Sequence, residues 1–181
     1  MYRRFRKLPK NSPRNMSAAR KWVVNSSPLI LLGRIERLSL LQKLCAELVI
    51  PVAVAAEIRA GLQADAAQNW LNDKGATYIR ALKKSDEIVT AWDLGAGESE
   101  VLTWARSHAG YEAIVDDRAA RDCAYALRIP IRGTLGVILL AKKEGLVPRA
   151  APLFHELRNV GWHIHPEVLE MGCKLAGESL E

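Results

Sequence analysis

Residues 112–126 read EAIVDDRAARDCAYA. An apolar run ends in two adjacent carboxylates, Asp116 and Asp117, and residues 118–126 have the period of a helix. A short buried strand that stops at this pair, just before a helix, puts both acids at the carboxyl edge of a parallel sheet. That is the edge on which open α/β folds keep their ligand crevice. The rest of the chain can be read for other acidic groups delivered to the same edge.

The chain has 181 residues, 49% of them hydrophobic, enough for one well-filled core and short for two. Cys45, Cys123 and Cys173 are odd in number, far apart and each in an apolar helical context, so they read as buried thiols of a reducing compartment. The start, MYRRFRKLPK, is basic, but no apolar segment of signal-peptide length comes after it, and no later run is long enough to span a bilayer. A cytoplasmic protein with no membrane partner is expected. Residues 1–22 carry eight Lys or Arg and no acid, leaving 18 basic against 20 acidic residues beyond them. The net charge of +6 therefore belongs to a basic extension, residues 1–21, while residues 22–181 form a nearly neutral domain. Such an arm could grip phosphates, or be a solvated tail that a start at Met16 would mostly remove.

In chain order, Trp22, Val23 and Val24 form a strand ending at Asn25, and Pro28 suits the first turn of a helix reaching Arg37. Ser39 would cap a helix carrying Leu40, Leu41, Leu44 and Leu48, whose apolar surface could serve self-association into a homodimer. Leu48–Ile50 reads as a second strand, and 52–61 as a helix with Val54, Ile58 and Leu62 on one stripe and Glu57 at its margin. A helix over 65–73 and a strand over 76–82 come next. LGAGESE, residues 94–100, turns into a helix reaching His108, with Glu98 on the face of Val101 and Leu102 and Glu100 pointing elsewhere. Ile129–Ile131 is a fifth strand, Thr134 the cap of an apolar helix, 149–159 another helix, 162–165 an edge strand, and Pro166 the start of the last helix. Alternating strand and helix patterns predict an α/β fold with a mainly parallel central sheet.

The candidate constellation is Asn25, Glu57, Glu98, Asp116 and Asp117, each at a strand end or in the helix after one. Carboxylates without Cys or His describe a site for a hard divalent cation, Mg²⁺ or Mn²⁺. Two adjacent acids repel, and a cation would relieve that; Asp117 also suits a helix N-cap, Glu98 a helix dipole and Glu57 a solvated flank. Arg118 and Arg121 could hold a carboxylate or contact a phosphate. Ser26 and Ser27 have no base to make either a nucleophile, and Ser26 joins the two arginines as a substrate contact. The glycine-containing turns match neither the dinucleotide nor the phosphate-loop pattern, and His163 with His165 has no third ligand nearby.

VVNSSPLILLGRI (23–35), IPVAVAAEI (50–58), LGAGESEVLTWA (94–105), the run from Val115 to Gly145 and LFHELRNVGWHI (153–164) together resemble the PIN domain superfamily, in a branch close to VapC-type toxins. The resemblance covers about residues 22–178. It implies a three-layer α/β/α domain, acidic residues around Mg²⁺ or Mn²⁺, an RNA substrate and a small antitoxin protein as partner. Carried over by position, the family's acids fall on Glu57, Glu98 and Asp117, with Asp116 adjoining. At the first strand the pattern has Asp before Ser or Thr, whereas this chain has Asn25. An amide oxygen can ligate a hard cation but brings no charge. Two readings result: a metal-dependent ribonuclease, the toxin half of a toxin–antitoxin pair, or a PIN-like module without turnover that binds protein or RNA. A phosphoacceptor receiver domain would carry its adjacent acids after the first strand instead.

Overall fold

Trp22, Val23 and Val24 are wholly buried, so β1 (Lys21–Val24) must be covered on both faces and paired on both edges. In the computed structural model, which describes residues 20–61 and 66–179, it is the centre of a five-stranded sheet. The extension up to residue 19, Leu62 and Asp65 lie outside the described residues. β2 (Glu47–Pro51) and β4 (Tyr111–Ile114) flank β1, with β3 (Ile79–Arg80) beyond β2 and β5 (Ile131–Arg132) beyond β4; all four pairings are parallel. The chain steps outward from β1 to β3 on one side and from β4 to β5 on the other. The winding thus reverses between β1 and β4, and a crevice opens there beyond the strands' carboxyl ends.

Ten α-helices accompany the sheet among the described residues: α1 (Ser26–Arg34), α2 (Ser39–Leu44), α3 (Val52–Ala60), α4 (Ala66–Asn72), α5 (Glu87–Thr90), α6 (Ala96–Ser107), α7 (Arg118–Ala126), α8 (Thr134–Lys143), α9 (Ala151–Asn159) and α10 (Pro166–Ala176). α6 lies against β1, β2 and β4 with α5 and α7 beside it; α1, α2, α8, α9 and α10 pack among themselves in the other layer. α3 touches both α1 and α6. The result is the expected three-layer α/β/α domain with a parallel sheet. No helix among the described residues is long and apolar enough to cross a membrane.

Several local expectations change. The strand expected over 76–82 shrinks to Ile79–Arg80, because Lys74–Tyr78 coils into a 3₁₀ turn under Trp70, whose ring stacks on Tyr78 at 6.1 Å. Gly75 permits this: a Cβ there would lie 2.7 Å from the Trp70 ring. Residues 162–165 form no strand, since their backbone is spent on helix ends. The Trp162 amide donates to the Leu157 carbonyl, and the His165 carbonyl accepts from Val168. Ser39 lies inside α2 and makes no capping bond. Leu40, Leu41, Leu44 and Leu48 are all buried in the core, so they offer no surface for self-association.

The turn after α10 is tied down by charge. Gly177 takes a left-handed conformation (φ 68°), and the Glu178 amide donates back to Cys173, closing α10. The turn carries the Glu178 carboxylate to Lys142 Nζ (2.5 Å) and to the amides of Ala150 (3.0 Å) and Ala151 (2.9 Å) at the start of α9. Burial pushes this carboxyl up, but the bonds from Lys142 and the two amides outweigh it and hold the pKa at about 2, against 4.5 ordinarily. Its contribution to stability is therefore complete above the ordinary value and is lost as pH falls toward about 2. Glu178→Gln should cost about 2 kcal/mol at neutral pH. In acid-unfolding curves, the gap between it and the wild type should close as pH drops from 4.5 toward 2.

Candidate active site

Asn25 comes directly after β1, in line with the end of β4: Val24 pairs with Ile114, and the Asn25 amide donates to the Ile114 carbonyl at 3.0 Å. It occupies the N-cap position of α1, yet its side chain makes no capping bond. Asn25 is wholly buried, and its Nδ2 instead donates to Glu98 Oε1 at 2.8 Å. An ionised carboxylate only accepts, so the amide nitrogen must face Glu98. That leaves Asn25 Oδ1 a buried acceptor without a hydrogen-bond partner.

Glu98 is the third residue of α6, on the inward face that its spacing predicts. The glycines around it serve close approach. A Cβ on Gly95 would lie 2.4 Å from Glu98 Oε2, and one on Gly97 would lie 2.6 Å from each oxygen of Glu57. Glu57 reaches across from α3 and accepts the Gly97 amide at 2.7 Å, in the first turn of α6. Glu100 returns the favour: its carboxylate accepts the Ala53 amide at 2.9 Å, in the first turn of α3, whose cap residue Pro51 has no side-chain acceptor. Each helix thus closes the positive end of the other. Glu100 does point away from Glu98, as the spacing suggests, but it has this job of its own.

Asp116 and Asp117 part company. Asp117 is exposed and caps α7 through the Ala120 amide at 2.8 Å. Asp116 turns to α8, accepting the Thr134 amide at 2.8 Å and the Thr134 hydroxyl at 2.5 Å. Burial pushes the Asp116 carboxyl above its usual range, against the pull of both Thr134 bonds and of Arg121. Thr134 is itself wholly buried and is the first residue of α8, with Gly133 at the cap; it acts as a donor that orients Asp116, not as a cap. A Cβ on Gly133 would meet Arg121 Nη1 and Asp116 Oδ1, each at 3.0 Å, so the missing side chain lets these two groups share one corner. Arg121 is otherwise held by long bonds to Val115 O (3.4 Å) and to the Tyr125 hydroxyl (3.3 Å). Arg118 projects into solvent, 96% exposed, with Asp122 at 3.9 Å. Ser26 is half-buried at the start of α1.

The structure therefore joins Asn25, Glu98 and Glu57 in one linked group at the ends of β1 and β2. Asp116, Arg121 and Thr134 form a second group at the ends of β4 and β5, while Asp117 and Arg118 face outward on α7. Oxygen-only donors and the orphaned Asn25 Oδ1 suit a hard cation. Glu57, Glu98 and Asp117 each spend one carboxylate oxygen on a protein donor, and Asp116 spends both. As they stand, no three His, Cys, Asp or Glu side chains among the described residues are grouped closely enough to hold a metal. Sequence reading gave Thr134 only a capping role and Glu100 none, and so missed their bonds to Asp116 and Ala53. Gly97→Ala should break the Glu57 bond and lower stability by about 1–3 kcal/mol, read as a fall in Tm. Gly97→Ala with Glu57→Ala should recover part of that loss, because the clash disappears.

No curated protein matches this chain. A family model described as a PIN domain matches residues 21–178, from the first residue of β1 to the carboxylate that fastens the turn after α10. With that match spanning the whole sheet and every member of the carboxylate constellation, the chain belongs to the PIN domain family and has its nuclease-type fold.

Proposed function

We propose that this protein is a metal-dependent endoribonuclease, the toxin component of a toxin–antitoxin pair, working on RNA in the cytoplasm and restrained by a small antitoxin protein. The observation that carries the reading is the buried, unpartnered Asn25 Oδ1 beside Glu98 at the point where the sheet's winding reverses. A buried acceptor left unpaired costs on the order of 1–3 kcal/mol, so it signals a ligand with positive character. PIN-domain nucleases generally use divalent metals. Asn25 Oδ1 and the unbonded oxygen of Glu98 would be the first donors to Mg²⁺ or Mn²⁺, with Asp116 and Asp117 turning from Thr134 and Ala120 to complete the set; the ion when bound would supply Lewis acidity toward a phosphoryl oxygen.

The chain's own residues have separable tasks. Thr134 fixes the rotamer of Asp116 through two bonds, and the Gly97 amide fixes Glu57. Glu98, bonded to Asn25 at the end of β1, and Glu57, bonded to the neighbouring Gly97 amide, each keep one unbonded carboxylate oxygen with which to orient and deprotonate an attacking water. Arg121, loosely held beside Asp116, can pair with a phosphate, and Ser26 can donate a hydrogen bond to the backbone. The raised Asp116 carboxyl must ionise before it binds a cation, so activity should rise with pH through the upper carboxylate range.

A second reading, a PIN-like module that binds without turnover, is favoured by one specific feature: Asn25 provides an amide where a carboxylate would add charge. Asn25→Asp discriminates. A buried carboxylate against Glu98 should lower Tm in EDTA, by about 2 kcal/mol of stability, and Mn²⁺ should restore it. If the wild type is inert on varied RNAs with both ions while Asn25→Asp cleaves, the binding module is the right description. If the wild type cleaves, the nuclease reading stands. Asp117→Asn keeps a capping oxygen, so it should melt like the wild type yet lose about 100-fold or more in cleavage rate. Unchanged cleavage would remove Asp117 from the site.

A further inference from the structure

A cavity of about 560 Å³ opens beside Asp116, between the edge strand β5, the first half of α8, α10 and the segment 162–164. Asp116, Arg121 and His163 line it together with Trp162 and the apolar side chains of Leu139 and Val168. Neither the constellation nor the capping network uses Trp162 or His163. The volume is within the range of small-ligand sites, and the lining is mostly apolar with a few polar groups converging at one end.

The geometry points to this cavity as the subsite for one unpaired nucleotide of a single-stranded RNA, next to the phosphate presented to the carboxylates. The inference rests on the nuclease reading for the position of that phosphate. It adds which segment of the chain grips the neighbouring nucleoside and why the strand must be single. A base in a duplex has both faces stacked and its edge paired, so it would have to be extruded before it could enter the cavity. Trp162, half-buried in the lining, is the indole on which the base would stack. Arg121, which lines the cavity beside Asp116, is placed for the adjoining phosphate. Arg121 suits that task because its bonds to Val115 and Tyr125 are long, leaving the guanidinium free to be recruited. Arg132 also lines the cavity, but Glu112 holds it at 3.0 Å, so its charge is already matched.

The exposed apolar residues of α10 that adjoin the cavity, Val168 (50% exposed) and Leu175 (70%), could equally meet a protein. Continuity with Asp116 and Arg121 favours RNA, because a protein docked on α10 has no need of a loosely held guanidinium beside the carboxylates.

Binding should be measured in EDTA, where no cleavage occurs, by anisotropy of a labelled single-stranded oligoribonucleotide and of its duplex. A series carrying one abasic unit at successive positions then locates the stacked base. The wild type should bind the single strand more tightly than the duplex, and one abasic position should weaken binding about tenfold. Trp162→Leu, which keeps apolar bulk, should erase that position's effect, and Trp162→Phe should retain it. Separately, Arg121→Ala should reduce the salt dependence of binding. Binding with no position effect, or a position effect untouched by Trp162→Leu, overturns the subsite. So does a chain that ignores RNA yet self-associates until Val168→Lys and Leu175→Lys disperse it. Because binding is read without metal, a protein that binds in this pattern but never cleaves defeats the nuclease reading alone. One that cleaves without the pattern defeats the subsite alone.

Discussion

The carboxyl edge of this sheet depends on helix N-termini being closed by carboxylates from elsewhere in the chain. Glu57 of α3 accepts an amide in the first turn of α6, and Glu100 of α6 accepts one in the first turn of α3. Asp116, at the end of β4, does the same for α8, and Glu178, beside Lys142 at the far end of α8, does it for α9; Asp117 and Asp86 cap their own helices, α7 and α5. Each bond satisfies a donor that its helix cannot, and each sets a negative group against a positive dipole end. Because the partners are far apart in sequence, the bonds also fix how the helices sit over the strands.

This arrangement explains how so much negative charge can collect at one end of a nearly neutral domain. Acids lodged on amide groups have part of their charge matched before any ligand arrives, and their rotamers are set by fixed donors. The same bonds make the site a compromise. Glu57 and Asp117 each close a helix with one oxygen and retain the other, and Glu98 retains the oxygen not bonded to the Asn25 side chain, whereas Asp116 has committed both to Thr134. A cation would therefore compete with Thr134 for Asp116, and with nothing at all for Asn25 Oδ1.

Residues 112–126 were legible because burial and helical period leave a strand-turn-helix no other arrangement, and the pair of acids could fall only at the turn. The inward face of Glu98 was equally legible, being a matter of spacing along one helix. The short third strand was not, since its shape is dictated by Trp70 lying over Gly75, a contact that periodicity does not encode. Leu40 to Leu48 looked like a surface because an apolar stripe does not say what covers it; here α8 packs against α2, and the stripe is core.

From the sequence alone come the alternation of strands and helices, the parallel sheet, the placing of five candidate residues at strand ends and the neutral character of the amide at Asn25. These are local properties, fixed by period, by burial tendency and by side-chain chemistry. Tertiary structure alone decided how those residues divide: Asn25 with Glu98 and Glu57, Asp116 with Thr134 and Arg121, Asp117 outward. It also assigned Glu100 and Thr134 their roles. Each of these outcomes is a hydrogen bond between segments brought together only when the sheet closes, and the direction of a side chain at a strand end is set by the donor it meets there.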